Sequence, residues 1–261
     1  MSLRKKAHDL ARPAKKELEK ELEKELEKTR KEADQERLAK EREKNKRKTR
    51  GRTFLIQHCI DKFQYQTYLE IGFGHGKNFI PIRIADKTCV DPSPWAGLQN
   101  RHIVTMSSDE YFKSHDKKFD IIFIDGDHRA KQVYKDVLNS ITALNENGII
   151  VVHDCFPPDE RKENAVNCGD GWRALCFLRK NMDLDIATMN TDLGLGMIKK
   201  RKNQTWLNPH EGPGQLVKFL SNDEPEFKLL YYGILEFDNY RVLNLLSIEE
   251  GLKWIDGKNE K

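Results

Sequence analysis

The chain has 261 residues, enough for one α/β domain of usual size with extensions. Its net charge of +4 describes neither of two parts: residues 1–52 hold 20 Lys and Arg against 12 Asp and Glu, whereas the remainder holds 26 against 30. A basic arm precedes a mildly acidic body, so arguments from overall charge toward acidic partners apply to the arm alone. No apolar run approaches the roughly 20 residues of a membrane span, and the charged start from Arg4 lacks the apolar stretch of a secretory leader. Five cysteines (Cys59, Cys89, Cys155, Cys168, Cys176) show neither a CxxC pair nor zinc spacing. They read as free thiols in a reducing cytoplasm, with no membrane partner.

Residues 14–48 read as one long charged helix. Leu18, Leu22 and Leu26 repeat every four residues among Glu and Lys placed for i,i+4 pairing, and Pro13 sits near the start, where a missing N–H costs least. A four-residue repeat drifts around a helix and does not hold a heptad seam, which favours a solvated spacer over a short coiled coil that would make a homo-oligomer. A third reading is a nucleic-acid arm, supported by Lys44, Lys46, Arg47, Lys48, Arg50 and Arg52. No aromatic residue interleaves them to stack on bases, and that reading is not favoured.

Phe54 to Phe63 follows as a helix with one buried face. Thr67 to Ile71 is a short apolar strand ending in Gly72-x-Gly74-x-Gly76, and Lys77 to Ile84 is compatible with a helix. Glycines let a backbone turn tightly and approach a ligand without a Cβ in the way. The dinucleotide fingerprint would need a glycine at Lys77, and Glu70 near the pocket floor suits a cationic ligand better than a phosphate. A strand from Thr88 to Val90 delivers Asp91, 15 residues after Gly76, where a carboxylate can take both hydroxyls of a ribose or cap a short helix. His102 to Thr105 is a third strand. Ser107 or Ser108 caps the next helix, and Asp109 is placed to reach an adenine edge or simply to open that helix.

Phe119 to Ile124, apolar on both faces as buried parallel strands are, delivers Asp125-Gly-Asp127-His128. Val133 to Leu144 is an amphipathic helix with Val133, Val137, Leu138, Ile141 and Leu144 on one face. Ile149 to Val152 is a fifth strand and delivers His153-Asp154-Cys155. Ligands of open α/β sheets bind beyond the carboxyl ends of the strands, so Asp125, Asp127, His128, His153 and Asp154 face one rim. Trp172 starts a helix and either lines a pocket or belongs to the core. Asp185 to Asn190 and Leu195 to Lys199 form an antiparallel edge hairpin. In residues 201–261, Phe227 to Phe237 packs on the domain and Ser247 to Glu250 resembles a capping box.

With these residues in place the chain resembles class I S-adenosylmethionine-dependent methyltransferases from about Phe54 to Lys200. Glu70-x-Gly72-Phe73-Gly74-x-Gly76 looks like their first motif and Asp91 like their ribose-binding acid. The narrower runs Ser107-Ser-Asp-Glu-Tyr-Phe, Phe123-Ile-Asp-Gly-Asp-His and His153-Asp-Cys-Phe-Pro-Pro are similar to a bacterial and phage subgroup expected to contain O-methyltransferases. The resemblance implies a Rossmann-like α/β fold: a seven-stranded methyltransferase sheet, mostly parallel with the last strand antiparallel, flanked by helices. It divides the chain into an arm (1–52), a cofactor-binding domain (53–200) and a C-terminal extension (201–261). It implies S-adenosyl-L-methionine on Glu70, Gly72, Phe73, Gly74, Gly76, Asp91, Ser108, Asp109 and Asp125.

A looser resemblance is to metal-dependent O-methyltransferases such as catechol O-methyltransferase. Asp125 and Asp154 match the two carboxylates that hold magnesium there, with His128 a third candidate ligand for Mg or Mn. Cys155 stands where an Asn ligand would be and His128 where a lysine base would be, so the metal stays open. The expected reaction is O-methylation of a small hydroxylated acceptor, sugar or glycan-like, with His128 or His153 as base and Asp154 or Asp125 orienting it. Two other readings stand beside it: a nucleic-acid or protein methyltransferase that docks substrate through the arm, and a non-catalytic scaffold. The Asn/Asp-Pro-Pro-aromatic signature of DNA amino-methylating enzymes is missing after Ile124.

Overall fold

The structure is a computed structural model that describes residues 25, 28, 29, 50–95, 102–164 and 166–257. The charged helix expected over 14–48 lies almost wholly outside those residues. Chain contacts separate a unit Met1–Arg47 from a compact unit Lys48–Lys261, and the second carries everything that follows.

Helix α1, Arg52–Phe63, buries Leu55, Ile56, Cys59 and Ile60. That spacing puts all four on one face of a helix. Strands β1 (Thr67–Ile71), β2 (Asp86–Val90), β3 (Ile103–Val104), β4 (Phe119–Ile124) and β5 (Leu144–Val152) pair in parallel in the order β3-β2-β1-β4-β5. Successive side chains of β1, β4 and β5 point to opposite faces, and both faces are covered. Tyr68, Ile121, Phe123, Ile149 and Val151 join the core under α1. Leu69, Ile122, Ile124, Ile150 and Val152 join the opposite core. Helices α2 (Ser108–Ser114), α3 (Ala130–Ala143) and α4 (Trp172–Leu178) complete the β/α region. Strand β7 (Leu195–Lys200) runs antiparallel between β5 and β6 (Leu184–Met189). The result is a Rossmann-like, mostly parallel sheet flanked by helices, with the carboxyl ends of β1, β2, β4 and β5 at one rim.

Four details differ from the expectation. No helix follows the glycine turn: residues 74–81 form turns only. Pro81 disfavours a helical Ile80 and offers no N–H, so the loop closes with turn bonds from Gly76 N–H to Phe73 O and from Ile80 N–H to Gly76 O. The sheet has an eighth strand, β8 (Leu245–Leu246), parallel to β6, so the C-terminal extension covers the edge where the hairpin was expected to end the sheet. Leu138 is 41% exposed, while Asp136 and Ser140 of the same helix are buried. Strand β5 begins at Leu144, five residues before Ile149.

The extension carries α5 (Gly214–Leu220), α6 (Tyr232–Phe237), α7 (Asn239–Leu243) and α8 (Ile248–Ile255). Helix α8 opens on a complete Ser247–Glu250 capping box. Trp172 is fully buried in a third apolar cluster with Phe177, Phe219 and Leu235, and its Nε1–H donates to Glu163. Among the described residues no helix is long and apolar enough to cross a membrane.

Candidate functional site

Two cavities open at the carboxyl ends of the strands, and both are lined by Gly74 and Asp125. The first, of 480 Å³, follows the glycine loop. Gly72 N–H donates to Val90 O and Asp125 N–H to Ile71 O, so the chain leaves β1 and β4 side by side. Gly72 has φ +92, and a Cβ there would lie 2.2 Å from Asp125 O; only glycine fits that approach. Gly76, at φ +71, packs against Phe73 and Ile80, and nothing lies within 4 Å of a Cβ built on Gly74.

Asp91, at the end of β2, accepts a hydrogen bond from Phe73 N–H on one oxygen and from Ser93 N–H on the other, each 2.7 Å. Its carboxylate is thereby fixed against the glycine loop, with further lone pairs on the cavity side. Ser107 caps α2 in a box with Glu110. That frees Ser108, whose hydroxyl donates to the buried Asp136 at 2.7 Å. Gln132 bridges Asp136 and Asp109, and Lys135 pairs with Asp109. Gly72, Gly74, Asp91, Ser108, Asp109 and Asp125 all line this cavity. Glu70 does not. It is buried on the α1 side of the sheet and takes hydrogen bonds from Tyr68 Oη and Asn78 Nδ2. Burial pushes its carboxyl up to about 8. Phe73 presents its backbone N–H to Asp91 and its ring to the core.

The second cavity, of 600 Å³, is lined by Arg52, Asp125, His128, His153 and Asp154 among others. His128 Nδ1 lies 2.5 Å from the Asn167 carbonyl oxygen. A carbonyl only accepts, so Nδ1 carries the proton and the Nε2 lone pair is left for other work. Nε2 is 3.6 Å from Asp125 Oδ1. The nearby Asp125 carboxylate raises the His128 pKa, and burial partly offsets it. His153 is more enclosed, its side chain 4% exposed. Its Nδ1 is 3.0 Å from Asp125 Oδ1 and 3.2 Å from Asp154 Oδ2, and its Nε2 is 3.5 Å from Asp192 Oδ1. None of these contacts is aligned as a hydrogen bond. Burial opposes charge on His153, yet the three carboxylates push its pKa up to about 11.

Asp125, His128 and Asp154 offer donor atoms that all lie within 4.8 Å of one another. Asp154 Oδ1 is buried without a hydrogen-bond partner. This donor set fits a divalent ion, and its imidazole suits a softer one than magnesium. Cys155 is not part of it, since its thiol is buried and directed at the Val152 and His153 carbonyls. Asp127, at the edge of the first cavity, is held by Arg129.

Arg52 and Asp192 were not legible as site residues. The Arg52 guanidinium forks onto Asp192, with Nε 2.9 Å from Oδ2 and Nη2 3.1 Å from Oδ1, while Nη1 reaches Asp125 Oδ2 at 2.6 Å. Burial raises the cost of charge on Asp125, and its histidine and arginine neighbours more than reverse this, holding it well below the usual carboxylate range. Asp192 is held low in the same way by His153 and Arg52. Three of the five non-glycine residues with positive φ among the described residues are Asp154, Asp192 and Leu193, at +58, +48 and +61. Backbone strain of this kind gathers at sites the surrounding fold over-determines.

Residues 46–155 match the model of a family described as "Methyltransferase domain". Over that stretch the chain is similar to a methyltransferase domain. The matched stretch contains the whole first cavity and, of the second, Arg52, Asp125, His128, His153 and Asp154. Among solved structures, the chain is similar to the S-adenosylhomocysteine-bound methyltransferase PaMTH1 of Podospora anserina, at 17% identity and TM-score 0.46 over 57% of this chain and 78% of that one. It is also similar to the O-methyltransferase TomG of Streptomyces achromogenes, bound to S-adenosylmethionine, at 15% and 0.42 over 56% and 78%. The N-methyltransferase NodS of Bradyrhizobium japonicum matches at 14% and 0.39 over 62% and 97%. These likenesses assign no acceptor. No curated protein matches the chain.

Proposed function

We propose that the protein is an S-adenosylmethionine-dependent methyltransferase that methylates a hydroxyl of a small acceptor. The observation that carries this reading is the meeting of the two cavities at Gly74 and Asp125. One holds the groups that suit an adenosine, and the other holds the groups that suit a hydroxyl giving up its proton. Bound S-adenosylmethionine supplies an electrophilic methyl on its sulfonium. The glycine loop lacks a following helix, so it offers close approach without the N-terminal charge that a phosphate would seek. Asp91 has lone pairs for the ribose hydroxyls, and Ser108 and Asp109 stand where the base would lie. The Asp125 carboxylate lines both cavities and favours a cation between them.

In the second cavity His128 is the better base. Its Nδ1 is bound to the Asn167 carbonyl and its Nε2 lies 3.6 Å from the nearest carboxylate, whereas both nitrogens of the more buried His153 lie within 3.5 Å of carboxylates. His153 then serves as a buried cation that keeps Asp125 and Asp154 together. Asp125, His128 and Asp154 could instead hold a divalent ion, which would lower the pKa of the acceptor hydroxyl; an ion on His128 would occupy the Nε2 lone pair, so the ligand and base roles of His128 are alternatives. A sugar or glycan end is one such acceptor.

The arm reading has little support in the described residues. Of the six basic side chains that motivated it, Arg50 packs over Phe54 and pairs with Glu249, and Arg52 is committed to the site. The test is transfer of a labelled methyl from S-adenosylmethionine to a panel of sugars, phenols, peptides and nucleic acids, scored by S-adenosylhomocysteine release. Transfer confined to hydroxylated small molecules supports the reading, and transfer confined to nucleic acid or protein overturns it.

A further inference from the structure

The guanidinium of Arg52 makes three bonds to carboxylates, and an arginine has five N–H donors. One N–H on Nη1 and one on Nη2 are therefore left over, on a side chain that is 27% exposed and lines the second cavity. The surroundings are built to hold it. Asp192 grips two of its nitrogens from a left-handed backbone, and Arg52 N–H also donates to Asp192 Oδ2 at 2.9 Å. Gly51 permits this: a Cβ there would lie 2.8 Å from that same oxygen. Thr191 Oγ1–H donates to Arg50 O, tying the two segments together once more. A surface ion pair would need none of this. The other Lys or Arg side chain lining the cavity, Lys162, is exposed and donates to the Asn167 side chain.

We propose that Arg52 is an acceptor-binding residue: its two unused N–H groups hold the acceptor oxygen as that oxygen loses its proton. This rests on the methyltransferase reading and adds the group that carries the developing charge. The acceptor O–H bond breaks, its proton passes to His128 Nε2, and the oxygen becomes anionic against the guanidinium. The oxygen then forms the new C–O bond to the methyl, the C–S bond breaks, and its electron pair stays on sulfur. Arginine remains charged at every working pH, so this stabilisation is present with or without a divalent ion. Fixed donors aimed at a developing oxyanion are worth about 10²–10³-fold each in rate. Among hydroxylated small acceptors this narrows the choice to a hydroxyl acidic enough to ionise beside one cation, a phenol or enol, and away from the sugar alcohol put forward above.

The probe is 4-nitrophenol, whose colour reports ionisation, bound to the full chain saturated with S-adenosylhomocysteine in EDTA. The bound probe should ionise at least one pH unit below the free probe, a tenfold shift. Arg52→Met should abolish the shift, and Arg52→Lys, which keeps the charge and loses the fork, should retain part of it. S-adenosylhomocysteine binding retained by Arg52→Met shows that the lost shift is not a loss of the fold, and Arg52→Lys keeps the inference testable if the methionine variant does not fold. An unchanged shift in Arg52→Met, a shift that appears only with added divalent ion, or no shift in the S-adenosylhomocysteine-bound wild type overturns the inference. Failure of the wild type to bind S-adenosylhomocysteine overturns instead the reading on which it rests.

Discussion

Arg52 and Asp125 are 73 positions apart in the chain and 2.6 Å apart in space. Their contact joins the first turn of α1 to the end of β4, and Asp192 extends it to the β6–β7 turn. Cutting it at Asp192 removes a charge-assisted fork that is partly screened by solvent. Asp192→Ala should cost about 1–2 kcal/mol, read as a lower urea midpoint with an unchanged slope. A loss below about 0.3 kcal/mol would show that the fork contributes little to stability.

The three loop glycines should respond differently to alanine. Gly72→Ala meets the Asp125 backbone at φ +92 and should lose both stability and S-adenosylhomocysteine binding. Gly74→Ala meets no protein atom within 4 Å at φ +49. It should cost about 1–2 kcal/mol of backbone strain and weaken S-adenosylhomocysteine binding by at least tenfold, because its methyl points into ligand space. Thermal melts paired with calorimetry separate the two effects, and equal behaviour of the two variants would contradict the geometry.

Glu70 sets a pH dependence of folding. Its pKa rises from 4.5 to about 8 in the native state, through burial. The unfolded chain releases this proton first, so the native state binds more protons across that window and stability falls as pH rises through it. Glu70→Gln should flatten the decline of Tm between those pH values. A wild-type profile identical to that of Glu70→Gln would show that Glu70 is ionised in the fold.

The sheet was legible because β4 and the second half of β5 are apolar runs that end in polar residues, and β1 ends in the glycine turn. Asp125, His128, His153 and Asp154 could be placed on one rim from that pattern alone. Arg52 could not, because in sequence it is the last of a run of basic residues. Asp192 looked like an ordinary turn residue, and its pairing with Arg52 spans 140 positions with no local signal. Asp136 was hidden because α3 was read for its apolar face, although a buried carboxylate on that face bonds Ser108. The helix expected after the glycine turn failed on Pro81, a breaker visible in the sequence and outweighed there by its apolar neighbours.

The two histidines should separate in kinetics. His128→Ala removes the proposed base and should lower kcat by about 10²–10⁴, with S-adenosylhomocysteine affinity unchanged. His153→Ala leaves Asp125, Asp154 and Asp192 without their shared cation and should lower stability as well as rate. Near-normal turnover in His128→Ala with full loss in His153→Ala would exchange their roles.

The central claim is that the glycine-loop cavity is built for the adenosine of S-adenosylmethionine. Calorimetry of the wild type and Asp91→Ala with S-adenosylhomocysteine tests it without any knowledge of the acceptor. The account predicts one site per chain in the wild type and at least tenfold weaker binding in Asp91→Ala, about 1.4 kcal/mol. No binding to the wild type, or equal binding to both proteins, would contradict it.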